Sequence, residues 1–235
     1  MITLRKHIIL VLFGAVGLLA SAQPHLRTPE MYLGVHGGAL GSMYSFTPRL
    51  NGTEHFLDAV FLSGNGGLVF RYSAHKCCGL QVEINYMQKG WRENADRADY
   101  SVHYTRKLDY IEVPFLTHIY FGKPSFRGFV NLGPQIGYCF RQTELGTRNT
   151  ATPDAPQYAP IDNRFDWGIA GGLGFYYRHV KAGLFQLEAR FNYSLGDTFS
   201  NSKTAFFSQS HAMDVSVNLG YFIPIPSAQP HNKKK

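Results

Sequence analysis

Past residue 20 the chain has no apolar run approaching the roughly 20 residues that a membrane-spanning helix needs, which excludes a helical membrane protein. Cysteine is scarce: only Cys77, Cys78 and Cys139 are present. The count is odd and vicinal Cys77 and Cys78 are poorly placed to bridge each other, so a disulfide-stapled scaffold is not indicated. His75-Lys76-Cys77-Cys78 has the look of half a metal site, yet no second cluster supplies the other ligands of a closed tetrahedral centre. Gly172-Leu173-Gly174 has no helix after it to make a phosphate loop. Neither a metal nor a cofactor is expected. The formal net charge is +7, with Arg5 and Lys6 in the leader and only Lys233-Lys234-Lys235 clustered. Nucleic acid is therefore not an expected partner, whereas anionic lipid or lipopolysaccharide head groups are.

What is present begins with Arg5, Lys6 and His7, an apolar run from Ile8 to Ala20, and the small-residue site Ala20-Ser21-Ala22. That order reads as a secretory signal peptide over 1–22. It leaves one all-β domain over 23–223 and a short basic tail over 224–235, which reads as a solvated end. Within the domain, Leu80, Val82, Ile84 and Tyr86 alternate with Gln81, Glu83, Asn85 and Lys89. Phe185, Leu187, Ala189, Phe191 and Tyr193 alternate with Gln186, Glu188, Arg190, Asn192 and Ser194, and Val215, Val217, Leu219 and Tyr221 with Asp214, Ser216, Asn218 and Gly220. Such alternation gives a strand one apolar and one polar face. It predicts eight strands, over 30–46, 64–74, 79–93, 104–122, 126–144, 163–180, 184–200 and 208–223.

Short and long connections between these strands alternate strictly. Turns around 75–78, 123–125 and 181–183 are short; links over 47–63, 94–103, 145–162 and 201–207 are long. This predicts an eight-stranded antiparallel up-and-down transmembrane β-barrel with both termini in the periplasm. Aromatic residues crowd the strands and their ends, among them Tyr44, Phe46, Trp91, Trp167, Tyr176, Phe199 and Phe222, and are expected to form girdles at the two lipid–water interfaces. A charge on the lipid face at mid-bilayer costs roughly 2–4 kcal/mol. Arg71, Glu83, Glu112, Arg178, Glu188 and Arg190 are therefore expected to face inward as a structural polar network. Gly133, Gly137, Gly168, Gly172 and Gly174 share that phase and would leave room for it. Pro114 lies in mid-strand without a free edge, which predicts a bulge or local break. His118 is expected to belong to the lumen network, with a pH sensor as the lesser reading.

Catalysis finds no constellation. Ser210 and His211 are neighbours in a strand and so point to opposite faces; His103 and Asp99 are ordinary for a polar loop. The inward carboxylates read as ion-pairing groups before general acids or bases. The expectation is a protein that is not an enzyme.

Several blocks together resemble the Bacteroidetes outer-membrane β-barrel family named after PorT. They are the segment from Gly79 to Tyr86 with Gln88-Lys89-Gly90, Leu108-Asp109-Tyr110-Ile111-Glu112-Val113-Pro114, and Gly133-Pro134-Gln135-Ile136-Gly137-Tyr138. Phe165-Asp166-Trp167-Gly168 with Gly172-Leu173-Gly174, and Glu188-Ala189-Arg190-Phe191-Asn192-Tyr193, complete the set. The block Tyr110-Ile111-Glu112-Val113-Pro114 is the most specific, and the resemblance makes its proline a shared feature. It implies an integral outer-membrane protein, with the namesake serving the type IX secretion system. Accessory work in secretion through protein partners is the leading expectation, since an eight-stranded lumen is too narrow for folded cargo. A small porin or solute-binding barrel is the alternative. A lipid-modifying enzyme and a soluble periplasmic barrel are weaker readings, against which stand the lack of a same-face Ser/His pair and the apolar series Ile111, Val113, Phe115 and Ile119.

Overall fold

A computed structural model describes residues 30–48, 56–57, 60–73, 77–94, 103–146, 158–179, 182–200 and 207–225. The signal peptide expected over 1–22, the lysine tail, and His75, Lys76 and Asp99 lie outside them. The strands are β1 (Glu30–Pro48), β2 (Phe56–Leu57), β3 (Phe61–Ser73), β4 (Cys78–Asn94), β5 (His103–Lys123), β6 (Phe126–Gly146), β7 (Phe165–His179), β8 (Gly183–Ser194) and β9 (Phe207–Ile225). Consecutive long strands pair antiparallel, and β1 pairs with β9 from Met31↔Ile225 to Pro48↔Phe207, which closes the sheet. Eight long strands form the ring. β2 is a two-residue addition held on β1 through Ser45↔Leu57 and Phe46↔Phe56.

Closure explains why the alternation is so regular. A ring has no edge, so the backbone is satisfied in the ladder, and each residue is left to face either the lumen or the surroundings. Leu80 and Ile84 are 61% and 56% exposed while Glu83 between them is 1% exposed. Leu33, Val35, Leu68, Phe115, Val130, Leu173 and Val217 extend the same exposed apolar surface round the ring. An apolar outside around a polar, buried inside reverses the arrangement of a soluble sandwich. Strands of this length exceed the 9–11 residues, roughly, that cross a bilayer. The short turns gather at the end holding Glu30 and Ile225, and the long connections at the other.

Two features depart from the sequence-based expectation, and a third, at Pro114, agrees with it. β8 stops at Ser194, because the amides of Leu195 and Gly196 both donate to the Trp167 carbonyl and turn the chain inward. The next residues are then held from β9: Thr198 N donates to the Ser210 carbonyl and Phe199 N to Ser210 Oγ. β9 runs to Ile225, past the expected end of the barrel at residue 223. At Pro114 the pairing with β4 lapses between Val82↔Phe115 and Asn85↔Glu112, and that with β6 between Pro114↔Gln135 and Thr117↔Leu132, with no change of register on either side. This is a local break. The bulge in β5 lies at Asp109/Tyr110.

Candidate functional site

The lumen is the site that the sequence pointed to, and it is layered. Toward the short-turn end Tyr32, Val69, Tyr120, Phe129, Tyr176, Leu184 and Phe222 form one apolar cluster. Toward the long-loop end Leu40, Tyr44, Phe46, Met87, Trp91, Leu108, Tyr110, Ile161 and Phe199 belong to another. Trp91 is its centre, with ring centroids 5.0 Å from Tyr44 and 5.2 Å from Phe46. This corrects the girdle expectation for Tyr44, Phe46, Trp91, Tyr120, Tyr176, Phe199 and Phe222, which are buried in the lumen. Tyr86, Phe121, Tyr138, Phe165, Trp167 and Tyr177 do face outward.

Between the two clusters lies a polar belt. β4 presents Gln81, Glu83 and Asn85 at alternate positions and β8 presents Gln186, Glu188 and Arg190, so each strand lines up three inward polar groups. Arg190 Nη1 donates to Glu83 Oε2 at 2.5 Å and Nη2 to Glu83 Oε1 at 2.7 Å, and the same guanidinium reaches Glu188 at 2.9 Å. Gln81 Nε2 donates to Glu83 Oε1, and Gln186 Nε2 to Glu188 Oε2 at 3.1 Å. Arg71 then joins the two glutamines, through Nε to Gln81 Oε1 at 2.7 Å and Nη2 to Gln186 Oε1 at 2.6 Å. Six side chains thus close a hydrogen-bonded ring holding two guanidinium groups and two carboxylates. Phe222 packs its ring 4.4 Å from the Arg71 guanidinium carbon. His36 Nε2 meets Asn85 Oδ1 at 2.8 Å, and Asn131 links Glu188 to His118, whose Nδ1 lies 2.7 Å from Asn131 Oδ1.

The six residues expected as one network divide three ways. Arg71, Glu83, Glu188 and Arg190 meet in the ring. Glu112 belongs to a second cluster nearer the long loops, where Lys89 Nζ lies 2.5 Å from Glu112, 2.9 Å from Asp214 and 3.6 Å from Asp166. Arg178 stays at the short-turn rim, half-exposed, 3.1 Å from Glu30. The expectation of a single network is corrected by distance along the barrel: Arg178 is the penultimate residue of β7, and Glu112 lies opposite Asn85 and Gly137. Sequence reasoning missed Lys89, Asp166 and Asp214 as ligands of one another. Lys89 and Asp214 were both on the polar phase of their strands, but Met87 and Trp91 on either side of Lys89 weakened the signal.

The glycines on the inward phase shape this belt. A Cβ on Gly172 would strike Glu188 Oε1, and one on Gly137 would come within 3.2 Å of Glu112 Cγ. Small residues on β6 and β7 give long charged chains from β5 and β8 room to cross the lumen. At the mouth, Arg106 Nη1 donates to Glu144 Oε1 at 2.6 Å and to the Tyr158 carbonyl at 3.3 Å, and Nη2 to the Ala159 carbonyl at 3.0 Å. It pins the returning loop over the aromatic cluster. Ser210 Oγ accepts from Phe199 N, while His211 Nδ1 faces the Gly196 carbonyl at 3.4 Å, so the two side chains serve separate partners. Cys77, Cys78 and Cys139 are free thiols.

A closed ring of eight antiparallel strands, apolar outside and filled with polar side chains inside, defines a membrane β-barrel. The family described as "Outer membrane protein beta-barrel domain" matches residues 22–200, and the chain belongs to it. No curated protein sequence matches the chain. Among solved structures it is similar to Ail of Yersinia pestis, at 13% identity and TM-score 0.42, covering 83% of this chain and 99% of that one. It is similar to OprG of Pseudomonas aeruginosa, at 16% identity and TM-score 0.45, covering 82% and 95%. For outer membrane protein W of E. coli the values are 17% and 0.33, covering 80% and 98%. Likeness at this level is general, and the fold rests on the chain's own strand ladder.

Proposed function

We propose that this chain is a non-conducting, non-enzymatic outer-membrane barrel that serves as an accessory part of a secretion apparatus and works through partners on its outer surfaces. The filled lumen carries the reading. Two apolar layers enclose a belt whose charged groups are committed to one another, so among the described residues the interior offers neither a water path nor a reactive group held apart for chemistry. Cargo would pass elsewhere. The secretion role draws support from the Tyr110-Ile111-Glu112-Val113-Pro114 strand and the other blocks resembling the PorT-named family, whose proline the ladder accommodates by a break. An even count of long strands, with Glu30 and Ile225 both at the short-turn end, fits a periplasmic location for that end and an external one for the long loops. Lipopolysaccharide around the barrel and protein components of the apparatus are the partners this reading requires.

Two measurements test it. Deletion of the gene should abolish export of carboxy-terminally tagged cargo while leaving cargo synthesis intact; unchanged export refutes the accessory role. Purified protein in a planar bilayer should give no steady conductance, and a reproducible unitary current would replace this reading with the small-porin one.

A further inference from the structure

The outer surface of β3 to β6 departs from the apolar wall elsewhere. Gly64 and Gly66 of β3 lie opposite Ala39 and Gly37 of β1, so the wall is bare there. Beside it an outward-opening groove of about 480 Å³ is lined by Gly66, Leu68, Ile84, Tyr86, Ile111 and Phe140. Toward the long loops the same face becomes charged. The outward series on β5 runs Lys107, Asp109, Ile111, which puts Lys107 roughly 13 Å along the strand from Ile111. Asp109 lies opposite Gln88 on β4 and Arg141 on β6, at the bulge. It accepts from Tyr86 Oη at 2.8 Å and Gln88 Nε2 at 3.1 Å, and stands 3.9 Å from Arg141 Nε. Arg141 keeps 69% of its side chain exposed, so Asp109 steadies one edge of the guanidinium and leaves the fork open. Arg92 on β4 is exposed as well. Three cations against one carboxylate leave this outward patch with two net positive charges.

We infer that the groove and the cations above it form a binding site for lipid A, the phosphorylated acylated disaccharide of the outer leaflet. The groove, walled by hydrocarbon and aromatic rings, takes an acyl chain, and Lys107, Arg141 and Arg92 hold the headgroup phosphates. Charge complementarity selects an anionic lipid, because an apolar groove that ends in an interfacial cluster of cations matches a chain that ends in a phosphate. Width selects lipid A among anionic lipids. Arg92 lies level with Thr105 and Arg141 level with Asp109, so the cations extend about 10 Å across three strands and about 13 Å along them, which fits two phosphates on a disaccharide better than one phosphodiester. The open Arg141 fork supplies the bidentate geometry that phosphate favours. This site deepens the proposed function, since it rests on the long loops facing outward.

The test uses full-length mature protein in detergent with three probes: bisphosphorylated lipid A, its dephosphorylated form, and phosphatidylglycerol, with retained lipid read by native mass spectrometry. Bisphosphorylated lipid A should bind at least tenfold more tightly than either other probe. Lys107→Gln with Arg141→Gln should weaken it about tenfold, the loss of charge-assisted hydrogen bonds. Gly66→Leu, or Ile111→Trp if the first fails to show heat-modifiable migration, should fill the groove and weaken it too, while Lys123→Gln at the opposite rim should leave it unchanged. Equal binding of all three probes, or wild-type affinity in the double variant, overturns the site. A Thr150→Cys variant, made with Cys77, Cys78 and Cys139 replaced by Ser so that it carries the one thiol and labelled on intact cells, separates this from the orientation: an unlabelled cysteine overturns the outward loops, and with them the outer-leaflet ligand, whatever the purified protein binds.

Discussion

Arg190→Met is the perturbation that probes the ring most directly. The side chain is 4% exposed, and its guanidinium contacts both Glu83 and Glu188, which are themselves 1% and 2% exposed. Methionine fills the stem volume but leaves two carboxylates facing each other in a space that water does not freely enter. Breaking a buried pair by removing one partner costs about 3–5 kcal/mol, mostly from the charge left uncompensated. Here two such charges remain, so a loss at the upper end of that range is expected. Urea unfolding in lipid vesicles, followed by heat-modifiable gel migration, measures it. Adding Glu83→Gln and Glu188→Gln to Arg190→Met removes the stranded charges and keeps amide hydrogen bonds to Gln81, Asn85 and Gln186, so most of the loss should return. A single variant within about 1 kcal/mol of wild type, the value of an exposed pair, would show that the ring contributes little. A triple variant no more stable than the single would show that the deficit is packing and not charge.

Other expectations follow from the same geometry. Gly172→Ala should lower stability by about 1–3 kcal/mol, because its Cβ displaces Glu188 from Arg190. Gly171→Ala, whose outward Cβ meets only Leu132 Cδ1 at 3.6 Å, should be near neutral in the same unfolding assay. Ile84→Arg, at the middle of β4 on the outer face, should cost roughly 2–4 kcal/mol in vesicles, against at most about 1 kcal/mol for Leu145→Arg at the rim. If the two cost the same, the apolar band does not face lipid at the depth assigned to it.

The strands were legible because a closed sheet between lipid and a narrow interior enforces period two along most of every strand. Leu80 to Tyr86 shows it on its own. Interior pairings were less legible, since phase gives the direction of a side chain but not its height. Glu83 and Glu112 share a phase and still belong to different clusters, a difference set by strand register that no local pattern contains. The caps were least legible. Tyr158, Ile161 and Phe199 lie in connections, and Arg106, Gln142 and Ser210 draw their backbones over the mouth. The aromatic count carried no information on which rings face lipid, because the same residue types line the lumen.

In the ring of eight, β4 is the third strand and β8 the seventh, four places apart in either direction. Ladder bonds join only adjacent strands, so they fix the circumference and leave a thin tube free to flatten into an ellipse at little energetic expense. Arg190 and Glu83 act as a spoke across that tube, and Arg71, reaching Gln81 on one side and Gln186 on the other, lies beside it as a second. The cross-section is thereby held round, and the curvature of the outer wall becomes constant. A lipid or a partner that docks on one stave meets a surface whose shape was set from the opposite side of the barrel.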